Sequence, residues 1–297
     1  MKVSVLVMTY NHEKFIGQAL DSVWVQKTNF ECEILISEDC STDSTREIVL
    51  AFQKAHPEKV RLLLSERNLH SNVVVSRGIN AARGEHIAFL DGDDYWLSPH
   101  KLQQQVDYLD SHPECSICFH NARIYHQTDG HEGRNWTPAD QKEISSLEDI
   151  LMGNFMTLLS TMFRTASIRG LPEWYDDFII TDWPLYILAA EHGKIGYIDE
   201  VMGIYRYHPG GVYSPFTETQ KHEITLKFYR TINKNLNYRY DKVINTAIST
   251  YFFEWAEEYK DRGDIDKMKA CLRACMSGNP WNSFIPKRKL IRMWLAR

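Results

Sequence analysis

The sequence predicts an α/β protein: a mainly parallel sheet flanked by helices, with a helical extension at the C-terminal end. Three observations predict it. Short apolar runs alternate with stretches of helical periodicity, the residues following those runs are polar, and beyond about Thr217 only the helical period remains. At 297 residues the chain exceeds one ordinary domain, so a large α/β body (1–215) followed by a helical region (216–297) is the natural division. Hydrophobic residues at 43% and charged residues at 25% are globular values. The net charge of −5 lacks the basic excess of a nucleic-acid binder, and no nucleic-acid partner is expected.

Val3 to Met8 reads as a buried strand, and Phe15-Ile16, Ala19-Leu20 and Val23 recur at helical spacing behind it. Glu33 to Ile36 is a second strand; Ser44-x-x-Glu47 has the form of a capping box before the helix of Ile48, Val49 and Phe52, which His56-Pro57 ends. Val60–Leu64 is a third strand, 73–82 a third helix closed by Gly84, and His86–Leu90 a fourth strand. Ser98-Pro99 supplies an N-cap and a first helical position for a helix running to about Ser111, and 116–125 is a further strand. The polar stretch 128–139 reads as an exposed loop or lid. A short helix over 147–152, a strand at 161–163, a helix over 184–192 and a strand pair over 195–208 follow. The remainder is helical to Ser277, with one turn at Gly263-Asp264. Of the six cysteines, Cys115 and Cys118 lack a second pair at metal spacing, and all six read as free thiols.

Open α/β sheets bind ligands beyond the carboxyl ends of their strands. Those places hold Thr9-Tyr10-Asn11, Glu38-Asp39-Cys40-Ser41-Thr42-Asp43, Glu66-Arg67-Asn68 and Asp91-Gly92-Asp93-Asp94. No glycine-rich phosphate loop follows the first strand, which argues against a dinucleotide fold and a P-loop. A divalent cation held by Asp91 and Asp93 is the alternative way to manage phosphates, since Mg2+ or Mn2+ commonly bridges a carboxylate to substrate phosphate. By itself Asp-Gly-Asp is also compatible with a solvated acidic turn.

Taken in order, VSVLVMTYNHEKFIGQALDSV, ILISEDCSTDST and GINAARGEHIAFLDGDDYW resemble the donor half of family 2 glycosyltransferases, almost continuously from Val3 to Trp96. The resemblance implies a GT-A-type, Rossmann-like fold, with nucleotide-sugar binding in about 1–95 and acceptor binding in about 96–215. It implies an inverting transferase that uses a nucleotide-diphosphate sugar, expected to be a UDP-hexose or UDP-N-acetylhexosamine, on a glycan or lipid-linked saccharide in cell-surface polysaccharide or lipopolysaccharide synthesis. Carried over, Thr9 and Tyr10 line the nucleoside pocket, Asp39 faces the base, and Glu38 or Asn11 supports it. Asn68, Gly92 and Arg206 join the nucleotide-binding set. Asp91 holds ribose or metal, and Asp93 ligates Mn2+ or Mg2+.

Inversion needs a base for the acceptor hydroxyl, and the segment Ile180-Thr181-Asp182-Trp183-Pro184 matches the family's acidic pair with Thr in place of Glu. Asp182 is therefore the expected base, with Asp176 or Asp177 as the fallback and a plain helix N-cap as the bland reading. Gly203-Ile-Tyr205-Arg206-Tyr-His208 resembles the family segment near the diphosphate: Arg206 offsets charge and His208 is a further metal ligand. A sugar-nucleotide pyrophosphorylase and a catalytically silent nucleotide-sugar-binding module are the rivals.

The N-terminal apolar run is too short to span a bilayer and has no cleavage site, so a cytoplasmic location is expected. Residues 286–297 carry five basic and no acidic side chains interleaved with apolar ones. That pattern suits the anionic inner face of a membrane, or a basic helix docked on the protein body. The helical end also offers a homodimer contact.

Overall fold

The computed structural model describes residues 1–69, 71–212, 214–279 and 282–295. The chain forms two compact units, Met1–Ile150 with Phe155–Pro215, and Leu151–Asn154 with Phe216–Arg297. Up to residue 215 it runs β1 (Val3–Thr9), α1 (Ile16–Trp24), β2 (Cys32–Glu38), α2 (Thr45–Ala55), β3 (Val60–Leu64), α3 (Val73–Ala81), β4 (His86–Asp91), β5 (Tyr95–Trp96), α4 (Lys101–Ser111), β6 (Cys115–His126), β7 (His131–Asn135), β8 (Ile144–Ser145), α5 (Leu147–Met152), β9 (Thr161–Arg164), α6 (Thr165–Ile168), α7 (Asp182–Ala190) and β10 (Lys194–Tyr207).

The strands form one mixed sheet in the order β3-β2-β1-β4-β9-β6-β10-β5, with β7 beside β6 and β8 beside β10. The block β3-β2-β1-β4 is parallel, and β9 lies antiparallel between β4 and β6. β1 is buried at every position because both faces are covered. Val3, Val5 and Val7 share a core with Ile16, Ala19, Leu20 and Val23 of α1. On the other face Leu6 meets α3 at Gly78, where a Cβ would stand 2.5 Å from Leu6 Cδ1. Each such aliphatic side chain taken from water contributes roughly 1.5–3 kcal/mol. The one polar residue near the start of β1 is provided for: Ser4 Oγ donates to Glu33 Oε1 at 2.6 Å and accepts from the amides of Arg83 and Gly84, while Arg61 pairs with Glu33 at 2.7 Å.

Several local expectations are corrected. Gly84 is no helix cap; a Cβ there would lie 2.4 Å from Ser4 N, so it is a point of close backbone approach. Ser44 makes no capping bond, because Asp43 Oδ1 takes the Thr45 amide at 3.0 Å, and a carboxylate is the stronger acceptor at a helix N-terminus. α4 starts at Lys101, two residues beyond Pro99, and α7 starts at Asp182, two before Pro184. The stretch expected to be a loop contains β7, which folds back on β6 through Gly130 at φ 68°. Its residues are mostly exposed, so no apolar alternation announced it. The expected strand pair over 195–208 is one long strand, β10, whose register against β6 shifts between Ile198 and Val201 and again before Gly203; a bulge bends it where a turn was expected.

The second unit contains α8 (Glu218–Asn235), α9 (Asp241–Asp261), α10 (Ile265–Gly278) and α11 (Lys287–Trp294). A capping box does form here: Thr217 Oγ1 accepts from Gln220 N, and the Gln220 side chain accepts from Thr217 N. The helical run breaks before Gly263 as well, at Asn237 and Tyr238, both left-handed (φ 51° and 58°). Asn233 bridges the break by donating to Asp241 Oδ1 at 2.8 Å. Phe253, Ala256, Met268, Leu272, Ile285 and Met293 form this unit's core. α11 turns Met293 and Leu290 inward and pairs Lys289 with Glu257, while Ile291 and Leu295 face outward.

Two buried histidines make stability depend on pH. Burial, then the charges of Lys2 and Arg164, push His86 from 6.5 down to about 4; burial, then Lys101, pushes His120 down to about 3. Between pH 6.5 and 4.5 the unfolded chain binds protons at these sites that the folded chain refuses, so the histidines' contribution to stability falls as pH falls, while the raised Asp91 and Asp94 contribute in the opposite direction. The lowered carboxylate Glu33 withdraws its contribution only below its unfolded value of 4.5. Urea unfolding across this range is expected to show the midpoint of the parent losing ground to that of His86→Asn as pH falls from 6.5 to 4.5.

Candidate active site

The registers Thr9↔Glu38 and Met8↔Asp91 set the carboxyl ends of β1, β2 and β4 side by side. The loops leaving them are laced together. Asn11, left-handed at φ 56°, receives the Thr42 amide on Oδ1 at 2.8 Å and donates its own amide to Ser41 Oγ at 3.0 Å. His12 N donates to Thr45 Oγ1, Glu13 N to Asp43 Oδ2, and Ser44 N to Glu13 Oε2. Asn is among the few side chains that tolerate this backbone region. Glu38 is fully buried and spends its oxygens on Ser41 N and on Arg46 Nε at 2.6 Å, so it builds the loop from below. Asp39 accepts the Leu69 amide at 3.1 Å on both oxygens.

At the end of β4, Gly92 is forced by crowding. A Cβ there would lie 2.6 Å from Thr9 Oγ1 and 2.8 Å from His12 Nδ1. Its φ is not among the positive ones, so close approach, and not a sharp turn, explains the residue. Asp93 is 19% exposed and holds two imidazoles on Oδ2, His208 Nε2 at 3.0 Å and His12 Nε2 at 3.5 Å. Burial opposes its charge, but the two imidazoles more than offset that and hold the carboxyl below its ordinary range. Burial pushes His12 itself toward the neutral form, so the direct His208 hydrogen bond is the firmer of the two supports. Asp91 moves the other way: burial, then the charges of Asp93 and Asp182, raise it well above the usual carboxylate range. Asp182 is thus electrostatically within reach of Asp91. Asp182 Oδ1 also accepts the Trp183 amide at 2.7 Å at the start of α7.

Arg206 closes the arrangement from β10. Its amide donates to Asp94 Oδ1 at 2.8 Å, and its guanidinium donates to the Asp93 carbonyl and to Gln18 Oε1. The guanidinium lies 4.5 Å from the Tyr95 ring centroid and 5.1 Å from that of Phe15. A cleft of about 1040 Å3 opens here, lined by Tyr10, Asn11, Lys14, Tyr125, Arg206 and His208 among others. Of the expected site residues, Thr9, Glu38, Asp39, Asn68, Asp91, Gly92, Asp93 and Asp182 do not line it. Asn68 lies half-buried in the segment after β3. The fallback Asp176 accepts from Ser76 Oγ at 2.6 Å, and Asp177 is exposed. Sequence reasoning missed His12, Gln18, Phe15 and Tyr95; the only signal for His12 was its place directly after Thr9-Tyr10-Asn11. Among the described residues no three His, Cys, Asp or Glu side chains form a self-sufficient metal centre. Asp93 with His208 provides one carboxylate and one imidazole, a fit for a divalent ion that takes its other ligands from substrate oxygens.

The fold resembles those of solved glycosyltransferases. Staphylococcus aureus TarS (residues 1–349, in complex with UDP-GlcNAc) matches with a TM-score of 0.65 and 21% identity over 93% of this chain and 82% of that one. The mannosyltransferase PcManGT of Pyrobaculum calidifontis, in complex with GDP-Man and Mn2+, matches with a TM-score of 0.60 and 16% identity over 98% and 78%. The chain belongs to glycosyl transferase family 2, whose model matches residues 4–171. An uncharacterized protein of Mycobacterium tuberculosis is 34% identical over 221 residues, 74% of this chain, and the match spans 63% of that relative's length. Among the described residues no helix is long and apolar enough to cross a membrane.

Gly92→Ala is expected to destabilise the protein by about 1–3 kcal/mol through overpacking. Gly17→Ala, in α1 with nothing within 4 Å of its Cβ, is expected to be neutral or to stabilise by up to about 1 kcal/mol. Urea denaturation of the two variants beside the parent checks both.

Proposed function

We propose that the chain is an inverting, metal-dependent glycosyltransferase that moves a sugar from a UDP-hexose or UDP-N-acetylhexosamine to a hydroxyl of a glycan or lipid-linked saccharide during cell-surface polysaccharide synthesis. The observation that carries this reading is the bonding of Asp93, at the end of the Asp91-Gly92-Asp93 turn after β4, to Arg206 of β10 and to His208 just beyond it. TarS, named as a poly(ribitol-phosphate) beta-N-acetylglucosaminyltransferase, is 30% identical over 181 residues, 57% of this chain and 28% of its own length, and supports the donor and acceptor classes.

In this mechanism Thr9, Tyr10 and Asn11 seat the nucleoside, Asp39 faces the base, and Glu38 holds the loop that carries it. Asn68 and Gly92 complete the nucleotide edge. Asp93 and His208, with Asp91 beside them, would hold Mn2+ or Mg2+, which supplies positive charge to the donor diphosphate. Asp182 takes the proton from the acceptor hydroxyl as that oxygen bonds to the anomeric carbon and the bond to the diphosphate oxygen breaks. Arg206, held between two aromatic rings and Gln18, faces the charge that develops on the departing diphosphate.

We further place this activity at the anionic inner face of a membrane through α11. Docking and membrane contact use different faces of that helix: Met293 and Lys289 hold it to its own unit, while Ile291 and Leu295, rimmed by Lys287, Arg288 and Arg292, are exposed. Ala296 and Arg297 of the tail lie outside the described residues. Ile291→Asp/Leu295→Asp is expected to abolish co-sedimentation with phosphatidylserine vesicles and to leave solution activity intact. Unchanged sedimentation would remove the membrane assignment, and concentration-dependent self-association lost in the variant would replace it with a homodimer.

Calorimetric titration with UDP, GDP and dTDP is expected to give Mn2+-dependent binding of UDP that Asp93→Ala loses. Asp182→Asn is expected to keep UDP affinity and to lower turnover roughly 10²–10⁴-fold. Binding without turnover of any donor, hydrolysis included, would identify a silent binding module instead.

A further inference from the structure

Asn72 stands immediately before α3, 4% exposed, and its side chain is committed to a distant stretch of the chain. Nδ2 donates to the carbonyls of Tyr175 and Ile180, at 3.1 Å each, and Oδ1 accepts from Thr181 Oγ1 at 2.8 Å. One turn further along α3, Ser76 Oγ donates to Asp176 Oδ1. The stretch is also closed on itself, since the fully buried Tyr175 donates its hydroxyl to the Thr181 carbonyl at 3.0 Å. The next residue is Asp182.

The same connecting segment is also bonded to the loop after β2. Leu69 N, three positions before Asn72, donates to both oxygens of Asp39. One short piece of chain is therefore bonded at one end to Asp39 after β2 and at the other to the residues that lead into Asp182.

We propose that Asn72 is a positioning residue that aims Asp182 at the acceptor hydroxyl. This rests on the assignment of Asp182 as base. Asparagine suits the task because its amide supplies two donors for two carbonyls and one acceptor for a hydroxyl. Aspartate has the same shape but would set a carboxylate against both carbonyls, and alanine would leave all three partners unmet.

The test is a double-mutant cycle on the full chain with donor and acceptor, read as kcat, KM and calorimetric donor Kd. Asn72→Ala is expected to lower kcat roughly 10²-fold, the cost of a misplaced catalytic group, with donor Kd changed less than about threefold. Thr181→Val, which removes one bond and keeps the shape, is expected to lower kcat to a smaller degree and serves alone if Asn72→Ala does not fold. In the Asp182→Asn background either substitution is expected to cost nothing further, because a group that acts only through Asp182 has nothing left to aim. A full additional loss in that background, or an unchanged kcat in both single variants, overturns the inference while the assignment of the base stands. Normal turnover in Asp182→Asn alone overturns the assignment and the inference with it.

Discussion

The architecture depends on keeping Asp91, Asp93 and Asp94 together at the end of a buried strand. Burial and neighbouring carboxylates raise Asp91 and Asp94, which favours their neutral forms, so the ionised turn relies on a cation brought close to it. The cation, Arg206, reaches the turn from β10, far along the sequence, and His208 just beyond that strand adds a hydrogen bond to Asp93. The antiparallel pairing of β5 with β10, Tyr95 opposite Ile204 and Trp96 opposite Gly203, makes that reach possible. The sheet thus does electrostatic work: it brings a cationic strand end to an anionic turn.

Around that turn the protein favours hydrogen bonds between loops over bonds within them. The loop after β1 is bonded chiefly to the loop after β2, and Glu38 with Arg46 ties the latter to the end of β3. Most of these bonds are made by side chains to backbone amides, so they fix the backbone paths and leave the inner surface to the residues facing the cleft. Arg206 is prearranged in the same manner, between rings and with its donors partly engaged, so it need not be ordered when negative charge arrives.

The alternation of strands and helices was legible because parallel strands buried on both faces are nearly unbroken apolar runs, as β1 and β4 are. The acidic strand ends were legible by position and, through resemblance, by order. What sequence could not provide was set by contacts remote along the chain. The exposed β7 has no apolar alternation to read. Ser44 has the right identity and spacing for a cap, but its neighbour Asp43 takes the bond. Gly84 was read as the stop of a helix and Gly92 as part of the nucleotide edge, and both are places where another segment leaves no room for a Cβ. His12 and Asn72 drew no notice because their partners lie at Asp93 and in 175–181.

The position of β9 has a consequence for biosynthesis. β4 pairs with β1 on one side, and on the other with β9, a strand that the ribosome does not deliver until Arg164. The stretch from β1 to β5 is complete in sequence by Trp96, but the edge of β4 that pairs with β9 has no partner until β9 emerges. Such an edge templates association between nascent chains. The β9 insertion therefore joins β4 and β6 in one sheet, and a fragment ending at Trp96 would lack the strand that covers β4.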